Sequence, residues 1–370
     1  MEQMIKIYLN CRFLTQRITG VQRFAYEMCC ELDKLLNDYH SLQIIGLMPK
    51  RPIQGQYEHV FVNIKLQTCG RLSGHLWEQL ELPFFARKGY LINLCNVAPL
   101  FHFRQFITLH DVIFMTNMDS QKWWFKLWYR LIARFTSRFA IHAFTVSEFS
   151  KSEIIRYLSV PNSKVSVLGN GASLFNYPYQ DKILSRLCLD EESYFLIIGS
   201  NSARKNINLV TSLFAASTNL SKIKLVVVGG SYTNLGQVNQ IQATNIVYTG
   251  YIADGELRSL YRHAKGLIFP SLYEGFGIPV VEAMAEFIPL IVADIPVMHE
   301  VCGDSALYFN PMSSQQLELQ LNMLLTSPDL CLSLINLSAK QLASYQWAKF
   351  AKITLSTVIQ KADNENCDCT

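Results

Sequence analysis

Apolar residues occur along the chain in short runs of strand length, and these runs alternate with stretches that have helical spacing. Runs such as Tyr194–Ile198, Lys224–Val228 and Leu290–Ala293 are almost entirely apolar. Continuous apolar strands are typical of parallel sheets that are buried on both faces. Alternation of such strands with helices indicates βαβ units, so the sequence predicts an α/β protein with helix-covered parallel sheets.

The predicted strands fall into two groups, one in each half of the chain. In the first half the pattern predicts strands at Ile5–Asn10, Leu42–Leu47, Val60–Ile64, Tyr90–Leu94, Phe106–Leu109, Ala143–Ser147 and Val165–Leu168. In the second half it predicts strands at Tyr194–Ile198, Lys224–Val228, Ile246–Tyr248, Gly266–Phe269, Leu290–Ala293 and Leu307–Phe309. Helices are predicted at the end of the chain, at Ser313–Thr326, Asp329–Ser344 and Gln346–Lys361.

The division between the two groups predicts two domains. An irregular stretch, Ser173–Asp190, separates them, and the alternation starts again near Tyr194. We expect doubly wound domains at residues 1–175 and 176–345, with the carboxyl ends of their strands facing each other across a ligand cleft. Residues 346–370 are expected to form a C-terminal helix that can cross back to the first domain and ends in a frayed tail.

Composition excludes several classes of protein. Hydrophobic residues make up 50% of the 370 residues and charged residues 17%, which excludes a disordered or fibrous chain. No apolar stretch reaches the ~20 residues of a membrane helix, and the N-terminus lacks the basic flank and cleavage site of a signal peptide. The ten cysteines are irregularly spaced without a C-x-x-C pair, so we expect reduced thiols in a cytosolic protein.

The segment Phe269–Met284 gives the strongest indication of chemistry. Its strand ends in a loop with Glu274 and Gly277, and Pro279 follows where the first turn of a helix tolerates proline. Free amides at such a helix start accept phosphate or sugar oxygens. Glu282 lies further along the helix, so both carboxylates can face one cleft and accept hydrogen bonds from sugar hydroxyls. A simple helix cap with an acidic first turn is the alternative.

A second motif lies after the strand Tyr194–Ile198. The chain passes through Gly199 to the adjacent cations Arg204 and Lys205 and then enters a helix. Cations just beyond the carboxyl end of a strand are well placed for a diphosphate, which Arg binds bidentately and Lys binds as a point charge. A solvated basic turn is the alternative. The diphosphate site is favoured because this motif and the glutamate loop lie at the same edge of one sheet.

Two shorter motifs belong to the first domain. Gly20 opens a helix after the first strand, and we expect its amide to close a phosphate pocket from the opposite domain. His110 and Asp111 end another strand, and adjacent residues of an extended chain point to opposite faces, so they do not form a hydrogen-bonded pair by default. An ordinary strand-to-helix turn and a structural histidine are the respective alternatives.

The segment 121–139 combines cations with aromatic residues and has no acidic residue. The cations recur every four residues, at Lys122, Lys126, Arg130, Arg134 and Arg138. Aromatic residues cover much of the remaining surface, at Trp123, Trp124, Phe125, Trp128 and Phe135. This pattern predicts an interfacial helix that attracts anionic lipid and seats its aromatics at headgroup level. A helix with aromatics in the core is the alternative, and the two can hold together; a nucleic-acid groove is not expected, because no recognised module accompanies it.

Missing motifs restrict the chemistry further. The chain has no Asp-x-Asp metal–diphosphate motif, no G-x-x-x-x-G-K-[ST] and no H-E-x-x-H. No G-x-G-x-x-G follows the first strand, so a standard dinucleotide site is disfavoured.

Together these residues resemble the retaining nucleotide-sugar glycosyltransferases of family 4, which have the GT-B fold. The resemblance covers nearly the whole chain and is carried by Gly20–Arg23, His110-Asp111, Thr145–Lys151, Gly199 with Arg204–Asn206, and Glu274–Glu282. The glutamate pair with the Arg-Lys-Asn turn is the most specific part. One departure is Ser200, because many relatives place a basic residue directly after the glycine; this gives Arg204 more weight.

The resemblance implies roles for individual residues. Arg204 and Lys205 would neutralise the leaving diphosphate, while Glu274 and His110 would lie beside the donor sugar. The remaining donor contacts would come from Gly20, from the amides of Phe276, Gly277 and Ile278, and from Glu282 at the ribose hydroxyls. The nucleotide sugar is then a substrate, and neither a cofactor nor a metal is implied.

The resemblance also implies a cellular role, with a hexose passing to a lipid-linked saccharide in O-antigen or capsule synthesis. GDP-mannose is the first donor to test, by similarity to bacterial polysaccharide mannosyltransferases. The expected partners are the donor, the lipid-linked acceptor and an anionic membrane surface, with the protein in the cytoplasm at the inner face of the cytoplasmic membrane. The oligomeric state stays open, and a GT-B sugar-nucleotide epimerase and a non-catalytic membrane-associated adaptor are the rival functions.

Overall fold

The structure is a computed structural model, and its elements follow the predicted alternation. It describes residues 5–39, 41–51, 61–116, 123–173, 177–190, 193–200, 202–229 and 240–368. Within these ranges the strands are β1 (Ile5–Asn10), β2 (Leu42–Met48), β3 (Lys65–Thr68), β4 (Tyr90–Asn93), β5 (Gln105–Thr108), β6 (His142–Thr145), β7 (Val165–Val167), β8 (Tyr194–Ile198), β9 (Lys224–Val228), β10 (Ile246–Gly250), β11 (Gly266–Phe269), β12 (Leu290–Ala293) and β13 (Leu307–Phe309).

Helices separate most of these strands. They are α1 (Gly20–Leu35), α2 (Gly74–Leu76), α3 (Leu82–Ala86), α4 (Trp123–Phe139), α5 (Glu148–Leu158), α6 (Lys182–Arg186), α7 (Ile207–Ala216), α8 (Asp254–Arg262), α9 (Ile278–Ala285), α10 (Pro296–Cys302), α11 (Ser314–Thr326), α12 (Pro328–Leu342) and α13 (Trp347–Asp368). A π-helical turn, Trp77–Glu81, joins α2 to α3.

The chain forms two compact units. The first comprises Met1–Met115, Trp123–Asn170 and Gln346–Thr370, and the second is built mainly from Gly171–Tyr345. The last helix, α13, packs against α1 within the first unit, where the rings of Trp347 and Phe24 lie 5.6 Å apart.

Each unit contains a parallel sheet. The described strands of the first unit form a seven-stranded sheet in the order β3-β2-β1-β4-β5-β6-β7, and those of the second form a six-stranded sheet in the order β10-β9-β8-β11-β12-β13. The central strands β4, β5, β11 and β12 are buried along their whole length. Their continuous apolar sequences are explained by helices on both faces of each sheet. The predicted α/β class with two doubly wound domains is confirmed.

One predicted strand is wrong. The sequence favours a strand at Val60–Ile64, whereas the structure has the exposed edge strand β3 at Lys65–Thr68; residue 60 lies outside the described residues. The carboxylate of Asp33 accepts hydrogen bonds from the amides of Val62, Asn63 and Ile64 at 2.9, 2.8 and 2.6 Å. These amides are therefore not available to a neighbouring strand, and pairing with β2 begins only after them.

Candidate functional site

The strand order of the second unit reverses between β8 and β11. The chain enters the sheet at β8, continues outward through β9 and β10, and returns on the other side of β8 with β11. In open parallel sheets, ligands bind at such a reversal, beyond the carboxyl ends of the strands. The turn Ala203–Lys205 follows β8 and the loop 270–277 follows β11, so the two strongest sequence motifs of this unit meet at this point.

Glu274 in the second loop contacts both cations of the first. Its Oε1 accepts a hydrogen bond from Lys205 Nζ at 2.5 Å and from Arg204 Nη1 at 3.0 Å. The Glu274 side chain is 11% exposed, and those of Lys205 and Arg204 are 13% and 28% exposed. Little solvent screens these charges, so each influences the ionisation of the others.

The environment keeps Glu274 ionised. Burial raises the pKa of its carboxyl group, but the charges of Lys205 and Arg204 outweigh burial and lower the pKa to about 2. At neutral pH the group is therefore a carboxylate that holds two cations, and it has no proton to donate. The Lys205 ammonium also lies 5.2 Å from the ring centroid of Phe269 at the end of β11, a favourable cation–π contact.

Backbone contacts fasten the two loops to each other. The amide of Leu272 donates to the carbonyl of Arg204 at 2.7 Å, and the Arg204 guanidinium donates to the carbonyl of Tyr273 at 3.3 Å. Asn206 adopts a left-handed conformation with φ +52°, and its Nδ2 donates to the carbonyl of Pro311 at 2.7 Å. Asn tolerates this conformation better than most residues, so the Arg-Lys-Asn order places the cations and then turns the chain into α7.

The start of α9 has the backbone geometry of an anion site. Gly277 has φ +112°, which favours glycine, and a Cβ there would lie 2.9 Å from Met298 Cε. Pro279 occupies the first turn of the eight-residue helix. The amides of Phe276, Gly277 and Ile278 therefore precede or begin a helix whose positive end can accept phosphate oxygens.

Two further glycines let neighbouring strand ends approach closely. Gly229 follows β9 with φ +138°, and a Cβ there would lie 2.0 Å from the carbonyl oxygen of Gly199, which follows β8. No side chain fits at position 229 while the backbones keep this distance. The edge beside Lys205 is consequently bare backbone, as close contact with a phosphate requires.

Glu282 is placed by a different contact from that of Glu274. It lies on α9 and is 5% exposed, and its Oε2 accepts a hydrogen bond from the Tyr261 hydroxyl at 2.9 Å. Tyr261 Oη also lies 3.2 Å from the carbonyl oxygen of Pro279. The tyrosine thereby fixes the Glu282 carboxylate to the first turn of α9.

Two serines of these loops were not selected from the sequence. Ser202 and Ser271 each have a buried Oγ that lacks a hydrogen-bond partner within the described ranges. Ser271 is close enough to Glu274 to contribute to the lowering of its pKa, without a hydrogen bond of ordinary geometry. An unsatisfied buried hydroxyl costs about 1–3 kcal/mol, and a polar ligand at this edge could satisfy both. In the sequence, only the positions of the two serines beside the two motifs could have indicated them as site residues.

His110 follows β5 in the first unit and is held by its neighbours. Its Nε2 donates to the carbonyl of Leu94 at 3.0 Å, its amide donates to Asn96 Oδ1 at 2.8 Å, and its ring packs edge-on against Phe24. Ser150, from the motif Thr145–Lys151, donates its hydroxyl to the His110 carbonyl at 3.0 Å. Burial outweighs the hydrogen bond to Leu94 and lowers the pKa of His110 to about 4, so the ring is neutral and leaves Nδ1 as an acceptor.

Gly20 begins α1 in the same unit. The side chain of Gln22 accepts a hydrogen bond from the Thr19 amide at 3.2 Å and forms a capping box at the start of the helix. The Gly-Val-Gln-Arg motif therefore has a local role in ending the loop and starting α1.

Helix α4 has a core face and an outer face. Ile132, Ala133 and Thr136 are buried, whereas seven side chains are exposed. The exposed ones are Trp123, Leu127, Trp128, Leu131, Arg134, Arg138 and Phe139. Of the aromatic side chains described, Trp123 and Trp128 are exposed and Phe135 is partly buried, so they do not form the core face, and binding to lipid stays a prediction. Lys122 and the side chain of Trp124 lie outside the described residues, and Lys126 is partly buried.

Arg130 differs from the other cations of α4. Its Nε donates to the carbonyl of Phe114 at 2.8 Å, and its Nη2 to that of Met115 at 3.5 Å. This side chain fastens the helix to the segment after β5 and does not lie on the exposed face. In the described part of the chain, no helix is long and apolar enough to cross a membrane.

Sequence comparison finds a family match within the second unit and relatives of the chain. Residues 181–341 match the family model of glycosyl transferases group 1. The chain is 31% identical over 235 residues to the O-antigen chain mannosyltransferase RfbU of Salmonella typhimurium, with 61% of this chain and 62% of the relative covered. It is 30% identical over 178 residues to O-antigen chain mannosyltransferase B of Escherichia coli, with 45% and 47% covered. The alignments thus span about half to three fifths of these relatives.

Solved structures share the fold over the whole chain. HepE of Anabaena in complex with UDP-glucose superposes with a TM-score of 0.74 at 16% identity, with 96% of this chain and 100% of that chain covered. WaaG, a glycosyltransferase involved in lipopolysaccharide biosynthesis, superposes with a TM-score of 0.68 at 14% identity, with 96% and 99% covered. At these identities the likeness shows the fold. The chain therefore has the two-domain GT-B fold, and residues 181–341 of its second unit match glycosyl transferases group 1.

Proposed function

We propose that this protein is a retaining hexosyltransferase that moves a sugar from a nucleotide-sugar donor to a hydroxyl group of a lipid-linked saccharide. The acceptor belongs to the synthesis of a cell-surface polysaccharide such as O-antigen or capsule. The observation that carries the proposal is the contact of Glu274 with Lys205 and Arg204 at the strand-order reversal of the second unit. Two cations at such a point suit a diphosphate.

In the proposed reaction, negative charge develops next to the cations and the amides at the start of α9. The bond between the anomeric carbon and the diphosphate oxygen breaks through an oxocarbenium-like state, and negative charge grows on the leaving diphosphate. Lys205, Arg204 and the amides at the start of α9 stabilise that charge. The acceptor oxygen then bonds to the anomeric carbon on the same face.

The proton of the acceptor hydroxyl passes to the leaving phosphate oxygen in this mechanism. Glu274 has a pKa of about 2 and is already ionised, and His110 has a pKa of about 4 and is already neutral. Because both pKa values lie well below 7, neither group is a strong enough base at neutral pH to compete with the phosphate oxygen for this proton. We propose that Glu274 binds hydroxyls of the donor sugar, Glu282 binds the ribose hydroxyls, and His110 accepts a hydrogen bond at Nδ1. No protein nucleophile and no metal take part.

The proposed donor is GDP-mannose, because both relatives described above are O-antigen chain mannosyltransferases. A uridine nucleotide is the competing base, since HepE was crystallised with UDP-glucose. We also propose that the protein works at the inner face of the cytoplasmic membrane, with the exposed face of α4 turned to anionic lipid.

The first test is thermal unfolding with GDP, UDP, GDP-mannose and UDP-glucose, each with and without EDTA. Specific binding at a ligand concentration of ~100 Kd raises the free energy of unfolding by about 2.7 kcal/mol. We expect one guanosine ligand pair to raise the melting temperature, with or without EDTA, and the variant Lys205→Met to lose the shift. Lys340→Met, which removes an exposed lysine of the same unit, is the matched control.

Other outcomes separate the rival functions. A shift that EDTA abolishes contradicts metal independence. A sugar-nucleotide epimerase or hydrolase would release free nucleoside diphosphate, or form an altered sugar nucleotide, without any acceptor. That function is favoured if added acceptor does not change the rate. Absence of a shift with every nucleotide contradicts the donor site and favours the non-catalytic adaptor.

A further inference from the structure

Exposed large hydrophobic side chains are concentrated in one part of the first unit. More than half of those found among the described residues lie between residues 72 and 139. Some belong to α4, but five others form a separate feature, which we call the apolar strip: Leu76, Leu80, Phe84, Phe101 and Phe103. Their exposed fractions run from 56% to 74%, and exposed apolar surface on this scale marks an interaction site.

The helical part of the apolar strip exposes apolar residues and buries an acidic residue, which is the opposite of an ordinary surface helix. Leu76, Leu80 and Phe84 recur every four residues along Gly74–Ala86 and are exposed. Glu78 is 1% exposed. Surface helices normally show the opposite arrangement, with charge outside and leucine inside.

The two acidic residues of this segment have specific partners, and Glu78 is buried while Glu81 is partly buried. Glu78 Oε1 accepts from Asn10 Nδ2 at 2.8 Å and lies 3.3 Å from Arg12 Nε. The Glu81 carboxylate accepts from the amides of Arg71 and Leu72 at 2.9 Å each. The outer face of the segment is consequently left with leucine and phenylalanine.

Contacts place the apolar strip beside α4. The rings of His75 and Tyr129 lie 6.3 Å apart, which joins the helical part to α4. Gln79 donates to the Ala98 carbonyl and accepts from the Leu100 amide, both at 3.0 Å, which joins it to the loop before Phe101. Phe103 in that loop packs against Phe139 of α4, with ring centroids 6.0 Å apart.

Positive charge surrounds this surface. Residues 72–139 contain eight Lys or Arg residues and four Asp or Glu residues, a net charge of +4, which equals the net charge of the whole chain. The Arg87 guanidinium lies 4.4 Å from the ring centroid of Phe84, and Lys88 beside it is exposed. Apolar side chains with basic neighbours are the composition of helices that lie in the interface of an anionic membrane.

We infer that the apolar strip inserts into the boundary between headgroups and acyl chains of an anionic phospholipid membrane, alongside the outer face of α4. The inference rests on the proposed function, in which the acceptor is lipid-linked, and it adds a second contact made by residues outside α4. Two copies of this chain would bring two regions of net positive charge together, and that repulsion disfavours self-association through the strip.

The test is flotation of the full-length protein with vesicles of phosphatidylcholine mixed with phosphatidylglycerol, and with vesicles of phosphatidylcholine alone. We expect the variant L80Q/F84Q to lower the partition coefficient for the mixed vesicles by about tenfold or more, because two apolar side chains no longer leave water. The control L319Q/L332Q removes two side chains of similar exposure, 58% and 60%, from the second unit and is expected to float as the wild type does.

A second variant, F101Q/F103Q, tests the loop part of the apolar strip independently, and thermal unfolding checks that both variants fold. Equal flotation of strip variants, control and wild type overturns the inference, as does equal binding to pure phosphatidylcholine vesicles. A wild-type dimer in sedimentation that L80Q/F84Q dissociates, without vesicle binding, assigns the strip to a second copy instead. Flotation needs neither donor nor transfer, so nucleotide binding by the same variants reports separately on the proposed function.

Discussion

The two cationic regions of the molecule differ in how their charges are held. In the second unit, Lys205 and Arg204 close on the carboxylate of Glu274 with little exposure to solvent. In the first unit, Arg134 and Arg138 of α4 are exposed, and no described carboxylate forms an ion pair with them. The cations beside Glu274 therefore have fixed positions, whereas the exposed arginines of α4 produce a diffuse positive field.

This difference has a physical consequence for binding. Buried charges at 2.5 and 3.0 Å are poorly screened by salt, and their positions are set before the ligand arrives. Exposed arginines attract anions over about one Debye length, ~8 Å at physiological ionic strength, and their effect falls as salt increases. Donor binding should therefore depend weakly on ionic strength, while attachment to anionic vesicles should depend on it strongly.

The largest expected effects come from two variants, each of which removes charge from one region and leaves the other region intact. In the proposed reaction Lys205 stabilises the growing diphosphate charge, so we expect Lys205→Met to lower transfer by ~10²–10³-fold, as for loss of one preorganised donor, with vesicle flotation unchanged. R134E/R138E is expected to abolish flotation on anionic vesicles and to leave the nucleotide-induced rise in melting temperature as it is. Radiolabelled sugar transfer and flotation measure the two effects.

The variant R134E/R138E leaves Arg130 unchanged, because Arg130 has a structural contact. Its guanidinium holds the carbonyls of Phe114 and Met115, so a glutamate there would disturb the docking of α4 rather than its outer charge. Lys340→Met controls for loss of any exposed lysine. Loss of flotation in Lys205→Met, or loss of nucleotide binding in R134E/R138E, would show that the two regions do not act separately.

Replacing Glu274 sharpens the comparison, because its carboxylate already occupies the cations that the proposed diphosphate needs. Glu274→Gln keeps the size of the side chain and removes the competing charge. We expect the free nucleoside diphosphate to bind about tenfold more tightly, given that a single charge pair near a surface is worth ~4 kcal/mol before desolvation, while transfer falls. Isothermal titration with the nucleoside diphosphate and a transfer assay measure the two changes.

Glu256→Gln is the matched control for this variant. Glu256 also pairs with an arginine, accepting from Arg186 at 2.7 Å, but the arginine side chain is 56% exposed. Surface pairs of this kind contribute little, so nucleotide affinity should not change. Weaker binding of the nucleoside diphosphate to Glu274→Gln would show that the carboxylate organises the cations for the ligand instead of competing with it.

The sequence predicted local structure and motif positions better than it predicted contacts. Strands β8, β9, β11, β12 and β13 agree residue for residue with the prediction, because strands buried on both faces carry an unbroken apolar signal. The loops with Arg204 and Glu274 could be assigned to one sheet edge, since parallel strands end on the same side.

Tertiary contacts explain what the sequence could not supply. The contact of Glu274 with Lys205 joins residues 69 positions apart, and no local pattern encodes it. The burial that lowers the pKa of His110 depends on Phe24, which comes from another element. Likewise, the regular spacing on α4 placed Arg130 with the other cations, whereas the carbonyls of the preceding segment hold it.

The smallest expected effect concerns acid stability, which is governed by buried histidines of the first unit. Burial lowers the pKa of His110 to about 4 from an ordinary value of 6.5. Unfolding therefore takes up a proton between these values, so the stabilisation is complete above pH 6.5 and is lost as pH falls toward 4. Between pH 7 and pH 6 this group alone should lower the free energy of unfolding by ~0.7 kcal/mol.

His110→Gln checks that assignment, because its amide can still donate to the Leu94 carbonyl but does not titrate. Urea unfolding at a series of pH values measures the slope. Burial likewise lowers the pKa of His142 to about 4 and lowers the pKa of His102. His110→Gln should therefore remove only part of the histidine contribution, and the double variant with His142→Gln a larger part. An unchanged slope in His110→Gln would mean that the ring reaches solvent and can be charged, and a protonated His110 would then be a candidate proton donor in the proposed reaction.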